Sequence, residues 1–278
     1  MKKLLALLLT GCMMAATLVG CGAKEATANP DADVAVEETA EAASDLAYVK
    51  EKGVLVVGIT DFAPMDYKNE AGEWIGFDAD MAKGFAQKLG VEVEFVEIDW
   101  DNKILELDGK TVDCIWNGMT LTDEVKAAMD CSNAYCNNAQ VVIVPAEKAA
   151  DYQTVESLEG LAFAVEAGSA GEAEVTALGL DCTPVKAQSD ALMEVAAGTS
   201  DAAVIDSLMA AAMVGEGTGY ADLTYTVGLN SEEYGVGFRK GSDLVAEINA
   251  YFVEAYAAGT MQECADTYGV AAALVEQK

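Results

Sequence analysis

Glu166 and Asp206 are acids in apolar company. Glu166 interrupts the run LAFAVEAG (Leu161–Gly168), and Asp206 closes the run DAAVID (Asp201–Asp206). On sequence alone Asp206 reads as the N-cap of a helix starting at Ser207, while Glu166 has no such local use and needs a partner if it is buried. Ser169 and Glu172 in GSAGE have capping-box spacing, and a helix start also offers unpaired N–H groups to an anion. Thr120 or Thr122 in NGMTLT suits the N-cap of the helix that follows. Of the aromatics, Trp100 lies in the polar run DWDN after a strand, whereas Trp74 and Trp116 suit packing. No nucleophile–base pair is evident, and with no histidine in 278 residues a Ser-His-Asp triad is excluded. A zinc site would have only cysteines and carboxylates to draw on, so no metal or cofactor is expected. The chemistry on offer is binding.

These side chains sit on alternating strand-like and helix-like segments. VLVVGI (Val54–Ile59) is a buried-strand run, and GFDADMAKGFAQKLG then places Phe77, Met81, Phe85 and Leu89 at four-residue steps before Gly90. VEVEFVEI, VDCIWNG and QVVIVP continue the strands, with DEVKAAM as a helix between the last two. After the polar stretch AEKAADYQTVESLEG a second α/β unit follows: strand LAFAVEAG, a helix from Ser169, strand CTPVKA, helix DALMEVAAG, strand DAAVID and helix SLMAAAMVGEG. TYTVGL and EYGVGFRKG precede two final helices, from Ser242 and from Thr260, ended by Gly259 and Gly269. This is the α/β class, sheets with helices on their faces.

The opening MKKLLALLLTGCMMAATLVGCGAKE has the layout of a secretory signal peptide, and export follows. The segment after Cys21, rich in Ala, Glu, Asp and Thr without an aromatic residue, reads as an acidic tether over 22–45. Net charge is −31, two units more negative once Lys2 and Lys3 leave with the signal peptide, which repels nucleic acid and anionic lipid. Beyond Cys21 the cysteines are Cys114, Cys131, Cys136, Cys182 and Cys264; their odd count leaves a free thiol, with pairing of Cys131 and Cys136 open.

LVGC at Leu18–Cys21 resembles a bacterial lipobox, which would make 1–21 a lipoprotein signal peptide and Cys21 the lipid-bearing residue; LTGC at Leu9–Cys12 would leave too short an apolar core. The stretch from Gly53 through EIDWDN, then GKTVDCIWNGMTLT, VEAGSAGE, DAAVID and YGVGFRKGSDL, together resemble a solute-binding protein of a polar amino-acid ABC importer. The resemblance implies a type II periplasmic-binding-protein-like fold: two α/β lobes, joined by two crossover hinge strands, closing on a ligand. Lobe 1 would take 46–143 with 230–278 and lobe 2 144–229. It further implies that Gly118 and Thr120 meet the ligand's α-amino group, with Asn117 and Met119 beside them. Gly168, Ser169 and Ala170 would grip the α-carboxylate, Asp206 would pair with the ammonium, and Phe62 and Trp100 would line the side-chain pocket.

The chain departs from that pattern in one respect. Where the family commonly carries a carboxylate-clamping arginine, this sequence has Val125, and its lone arginine, Arg239, lies in the distant GFRKG segment. Lys126 is turned about 100° away on the helix. The carboxylate is then expected to lean on the GSAGE amides and on Thr122. Acids accumulate instead: Asp61 precedes Phe62, and Glu166 falls where the family touches the ligand's side chain. The count points to a cationic amine-bearing solute.

The resulting expectation is a monomeric, lipid-anchored extracytoplasmic receptor that hands its solute to permease subunits. It is not an enzyme in this reading; the alternatives on the same fold are a dehydratase-like enzyme and a sensory domain. Intact-mass analysis of membrane-extracted protein is expected to show a diacylglyceryl adduct on Cys21, and an unmodified chain starting elsewhere would refute the lipobox.

Overall fold

The computed structural model describes residues 44–278, so the proposed signal peptide, Cys21 and nearly all of the 22–45 segment lie outside the described residues. The tether's expected end needs correcting. Ser44 caps helix α1 (Asp45–Lys52) through its hydroxyl, and Asp45 is buried because the Arg239 guanidinium holds it, 3.0 Å from Nη2.

The first sheet forms from β1 (Val54–Ile59), β4 (Glu92–Glu97), β5 (Cys114–Thr120), β6 (Asp130–Cys131) and β13 (Glu232–Phe238), in the order β4-β1-β5-β13-β6, while β7 (Cys136–Asn138) also pairs with β13. A small hairpin of β2 (Tyr67–Lys68) and β3 (Trp74–Ile75) leads into helix α2 (Phe77–Leu89). On α2 the four-residue steps hold: Phe77, Met81, Phe85 and Leu89 are all buried, and Gly90 ends the helix in the left-handed region at φ 77°. Helices α3 (Lys103–Asp108) and α4 (Asp123–Ala128) flank β5, and α8 (Leu244–Ala258) and α9 (Thr260–Tyr268) complete this lobe. Its core is aromatic. Trp116 meets Phe85 and Phe252 edge-on, and Tyr135 stacks on Phe77.

The second sheet runs β10-β9-β11-β8-β12, from β8 (Gln140–Pro145), β9 (Phe163–Glu166), β10 (Cys182–Val185), β11 (Ala202–Asp206) and β12 (Leu223–Gly228). Helices α5 (Ala170–Ala177), α6 (Gln188–Ala197) and α7 (Ser207–Met213) cover it. Strands β9, β10 and β11 are parallel, whereas β8 runs antiparallel to both β11 and β12. The chain crosses from β7 to β8 at Ala139 and returns between β12 and β13, where Leu229 N donates to Gln140 O at 2.8 Å. Because β8 is paired within the second sheet from Gln140 onward, the switch of lobe falls ahead of position 143. Helix α7 also stops earlier than its pattern suggested, since Val214 leaves to bridge Tyr220.

All five cysteines in the described residues are free thiols. Cys131 faces Gly237 and Cys136 faces Tyr234, three positions apart along β13. At about 3.3 Å per residue that separation exceeds a disulfide's reach.

Arg239 anchors the lobe's base. Its guanidinium meets Asp45, lies 3.6 Å from Asp113, and donates to the carbonyls of Leu107 and Val112. Arg239→Met should lower unfolding free energy by about 3–5 kcal/mol, because two buried carboxylates lose their cation, and Arg239→Lys should recover little of the forked geometry. Chemical denaturation of the three proteins checks this; a loss below 1 kcal/mol for the methionine variant would mean that Lys52, 2.5 Å from Asp113, carries the site alone.

Candidate functional site

Between the lobes lies a cavity of about 670 Å³ whose walls come from both sheets. Its floor is the end of β5. Gly118 sits at φ +56°, where a Cβ would come within 2.4 Å of the Phe62 ring, so only glycine fits. Gly118 N donates to Asp78 Oδ2 at 2.7 Å, and the same oxygen accepts from Tyr135 OH. Burial pushes the Asp78 carboxyl up to about 7. Asn117 stitches β5 to β1: its Oδ1 accepts from Thr60 N and Thr60 Oγ1, and its Nδ2 donates to Thr60 O and Asp66 Oδ2. It lines the cavity, but its amide is spent on the floor.

Asp206 ends β11 and precedes α7, yet it makes no side-chain cap bond. Its carboxylate is instead cradled by amides, Oδ1 accepting from Asn138 Nδ2 and Gln140 Nε2, and Oδ2 from Gln188 Nε2. Gln188 Oε1 in turn accepts from Asp206 N. Burial, with Glu232 close by, raises Asp206 to about 7. Glu232 Oε1 accepts the hydroxyl proton of Thr120 at 2.9 Å. That bond orients Thr120, leaving its oxygen lone pairs for an incoming donor.

The opposite wall is the head of α5. Ser169 Oγ accepts from Glu172 N, and Glu172 Oε2 accepts from Gly168 N, so both capping groups are used locally. Lys103, at the first turn of α3, reaches across from lobe 1 and donates to Gly168 O at 2.8 Å and to Trp100 O at 3.3 Å. Its Nζ lies 5.0 Å from the Trp100 ring centroid. Burial lowers the Lys103 pKa against the opposing pull of Glu166 and other acids. Glu166 is 3% exposed with Oε1 unpartnered, and burial raises it to about 8. Gly168 is at φ +70°, and a Cβ there would stand 2.7 Å from Asp101 Cα. The lobes are therefore in backbone contact across a closed cleft.

Of the residues expected in the site, Phe62, Trp100, Asn117, Gly118, Met119, Thr120, Thr122, Glu166, Gly168, Ser169, Ala170 and Asp206 all line this one cavity. Asp61 does not. It is exposed beyond the wall, because Thr60 and Phe62 on either side turn inward, and its charged neighbours are Glu97, Lys68 and Asp190. Thr122 also caps α4, accepting from Val125 N at 3.1 Å. Val125 is part of the wall, but the cavity is not without a cation. Lys103 supplies one that the charge count had missed. One signal was available: a lysine opening a helix stands against the helix dipole and needs another reason to be there. Gln140 and Gln188 carried no signal, since their role depends on pairing in space.

The family model for bacterial extracellular solute-binding proteins, family 3, matches residues 55–271. L-cystine-binding protein TcyJ of Escherichia coli (strain K12) is 27% identical over 224 residues, covering 79% of this chain and 84% of that one. A solved mutant of ArgBP from T. maritima is 34% identical with a TM-score of 0.76, over 81% of this chain and 99% of its own. The ancestral amino acid-binding protein AncCDT-1, a precursor of cyclohexadienyl dehydratase, is 30% identical with a TM-score of 0.74, again over 81% and 99%. The fold is the two-lobe, type II periplasmic-binding-protein architecture.

The raised carboxyls give the ligand-free protein a definite pH response. A buried acid that keeps its proton natively, while the unfolded chain has lost it, makes stability fall as pH rises from its ordinary value to its raised one. For Glu166 that window runs from 4.5 to about 8. Glu166→Gln should flatten the decline by roughly 1 kcal/mol per pH unit inside the window. Denaturant melts of both proteins at pH 5, 6 and 7.5 test it, and parallel slopes would place Glu166 in contact with water.

Proposed function

The chain belongs to the bacterial extracellular solute-binding proteins, family 3, and on that premise we propose that it captures a cationic amino acid or a close amine-bearing relative for an ABC importer. In this reading hinge closure traps the solute, the permease subunits receive it, and lipid on Cys21 holds the monomer at the outer face of the membrane.

The observation that carries the ligand class is the charge of the closed cavity. Lys103 shares the cavity lining with Glu166 and Asp206, two acids whose protons burial retains and the cationic groups of a ligand would displace, and with further acids in Asp101, Asp123, Glu124 and Glu172. A zwitterion with one additional positive group balances the inner set; a dicarboxylate worsens it. The α-ammonium would bind Asp206, the lone pairs of Thr120 and the Gly118 carbonyl. The Oε1 of Glu166 would accept from the side-chain cation, and the apolar stem would lie between Phe62 and Trp100. TcyJ is named for L-cystine, and ArgBP has an arginine-bound form, so zwitterions of either balance occur on this frame.

A dehydratase-like enzyme is the second reading, because AncCDT-1, itself an amino acid-binding protein, is a precursor of such an enzyme. Against it, Asp206 is engaged by three amides, and the chain has no histidine to move a proton near neutrality.

In a thermal-shift panel of the twenty amino acids and simple polyamines, the largest saturable shift at high salt should come from a basic amino acid, and glutamate should give none. High salt matters because the diffuse negative field of the body is screened there while a buried pair is not. A larger shift with a neutral or acidic amino acid would overturn the charge argument. Asp206→Ala should weaken the best ligand about 100-fold or more with the fold retained by circular dichroism.

A further inference from the structure

We infer that Lys103 is the residue that takes the ligand's carboxylate, together with the first N–H group of α5, and that it makes the cleft selective for solutes with a free carboxylate beside the amine. The inference rests on the amino-acid reading above and names the group that recognises the acid end.

Lys103 is the only cation among the residues that line the cavity, and at 8% exposure its charge is almost fully withdrawn from water. An ammonium has three donors. Two are used, on Gly168 O and Trp100 O, both neutral carbonyls. Glu166, Glu124, Asp101 and Glu172 act on it only through space, and none hydrogen-bonds it. A buried cation with one unspent donor and no paired anion calls for an anion in the cavity it faces.

The bond from Lys103 to Gly168 O also fixes where that anion would sit. Gly168 immediately precedes the N-cap of α5, and there Glu172 N is taken by Ser169 Oγ and Gly168 N by Glu172. Ala173 N donates to Ser169 O, whereas Ala170 N and Gly171 N donate to no acceptor in the described residues. Gly171 is buried outside the cavity lining, so the open amide that shares the cavity with this buried ammonium and its spare donor is that of Ala170, at the positive end of the helix, and a carboxylate can bridge the two. Val125, on the same wall, offers only methyl groups. Lys103 therefore reads a ligand feature from lobe 1 that α5 reads from lobe 2, so the carboxylate helps hold the cleft shut.

The test uses the full-length protein as wild type, Lys103→Met and Lys103→Arg. Each of the twenty L-amino acids is titrated by calorimetry, and the tightest is then compared with its own α-carboxamide. The wild type should prefer the free acid by about 100-fold or more, Lys103→Met should lose at least ten-fold of that preference while still binding the amide, and Lys103→Arg should keep most of it. An undiminished acid preference in Lys103→Met overturns the inference while leaving the amino-acid reading intact. So does a wild type that binds acid and amide equally, a result that needs no variant to fold. If no amino acid binds the wild type, the amino-acid reading falls and the inference falls with it.

Discussion

Asp206 is 3% exposed, and its burial is answered by amide donors drawn from separate parts of the chain. Asn138 and Gln140 stand on either side of the outgoing crossover, and Gln188 opens α6. The same two crossover amides also serve Glu232, which begins the returning strand. Both chain crossings thus meet at one pair of amides, which hold the Asp206 and Glu232 carboxylates together, and the residue proposed to meet the ligand's amine is part of the set around which the crossings are organised. A buried acid left short of donors costs several kcal/mol, so these segments cannot drift independently. Much of the remaining architecture, from the antiparallel entry of β8 into the second sheet to the register of β13, keeps that set of amides in place.

The floor of the cavity follows the same logic. Asp66 and Asp78 are fully buried acids, each with one oxygen lacking a partner, and burial raises both. Desolvation rather than a counter-ion sets their protonation. Their remaining oxygens hold Asn117 and the Gly118 N–H, which fixes the turn at the end of β5. Polar groups behind the cavity floor thereby determine the shape of the surface that the cavity presents.

How much of this could be read in the sequence depended on range. Periodicity exposed the buried face of α2, the apolar run of β8 and the glycine stops, because these arise from neighbours within a turn or a strand. Twelve of the thirteen residues expected at the ligand site line one cavity. What escaped was long-range. Asp45 looked like part of an acidic tether until Arg239, 194 residues later, was found to hold it. Asp61 was expected at the site because it precedes Phe62, which does line the cavity; a single step along an extended segment turns a side chain to the other face. The amides of Gln140 and Gln188 matter only through pairing with an acid that local pattern assigned to helix capping.

Gly168 carries a final consequence. Its missing side chain lets its backbone come against Asp101, and a Cβ would stand 2.7 Å from the Asp101 Cα. A methyl group there would prop the lobes apart and admit solvent to the gap. Water changes the medium in which the cleft's charges act, and the Coulomb attraction between two charges at fixed separation weakens by roughly four-fold on passing from an effective dielectric constant of about 20 to that of water. The absence of one carbon atom thus sets the electrical medium for Lys103, Glu166 and Asp206 at once, and grip strength at this site is a property of how dry the closed gap is as much as of the charges lining it.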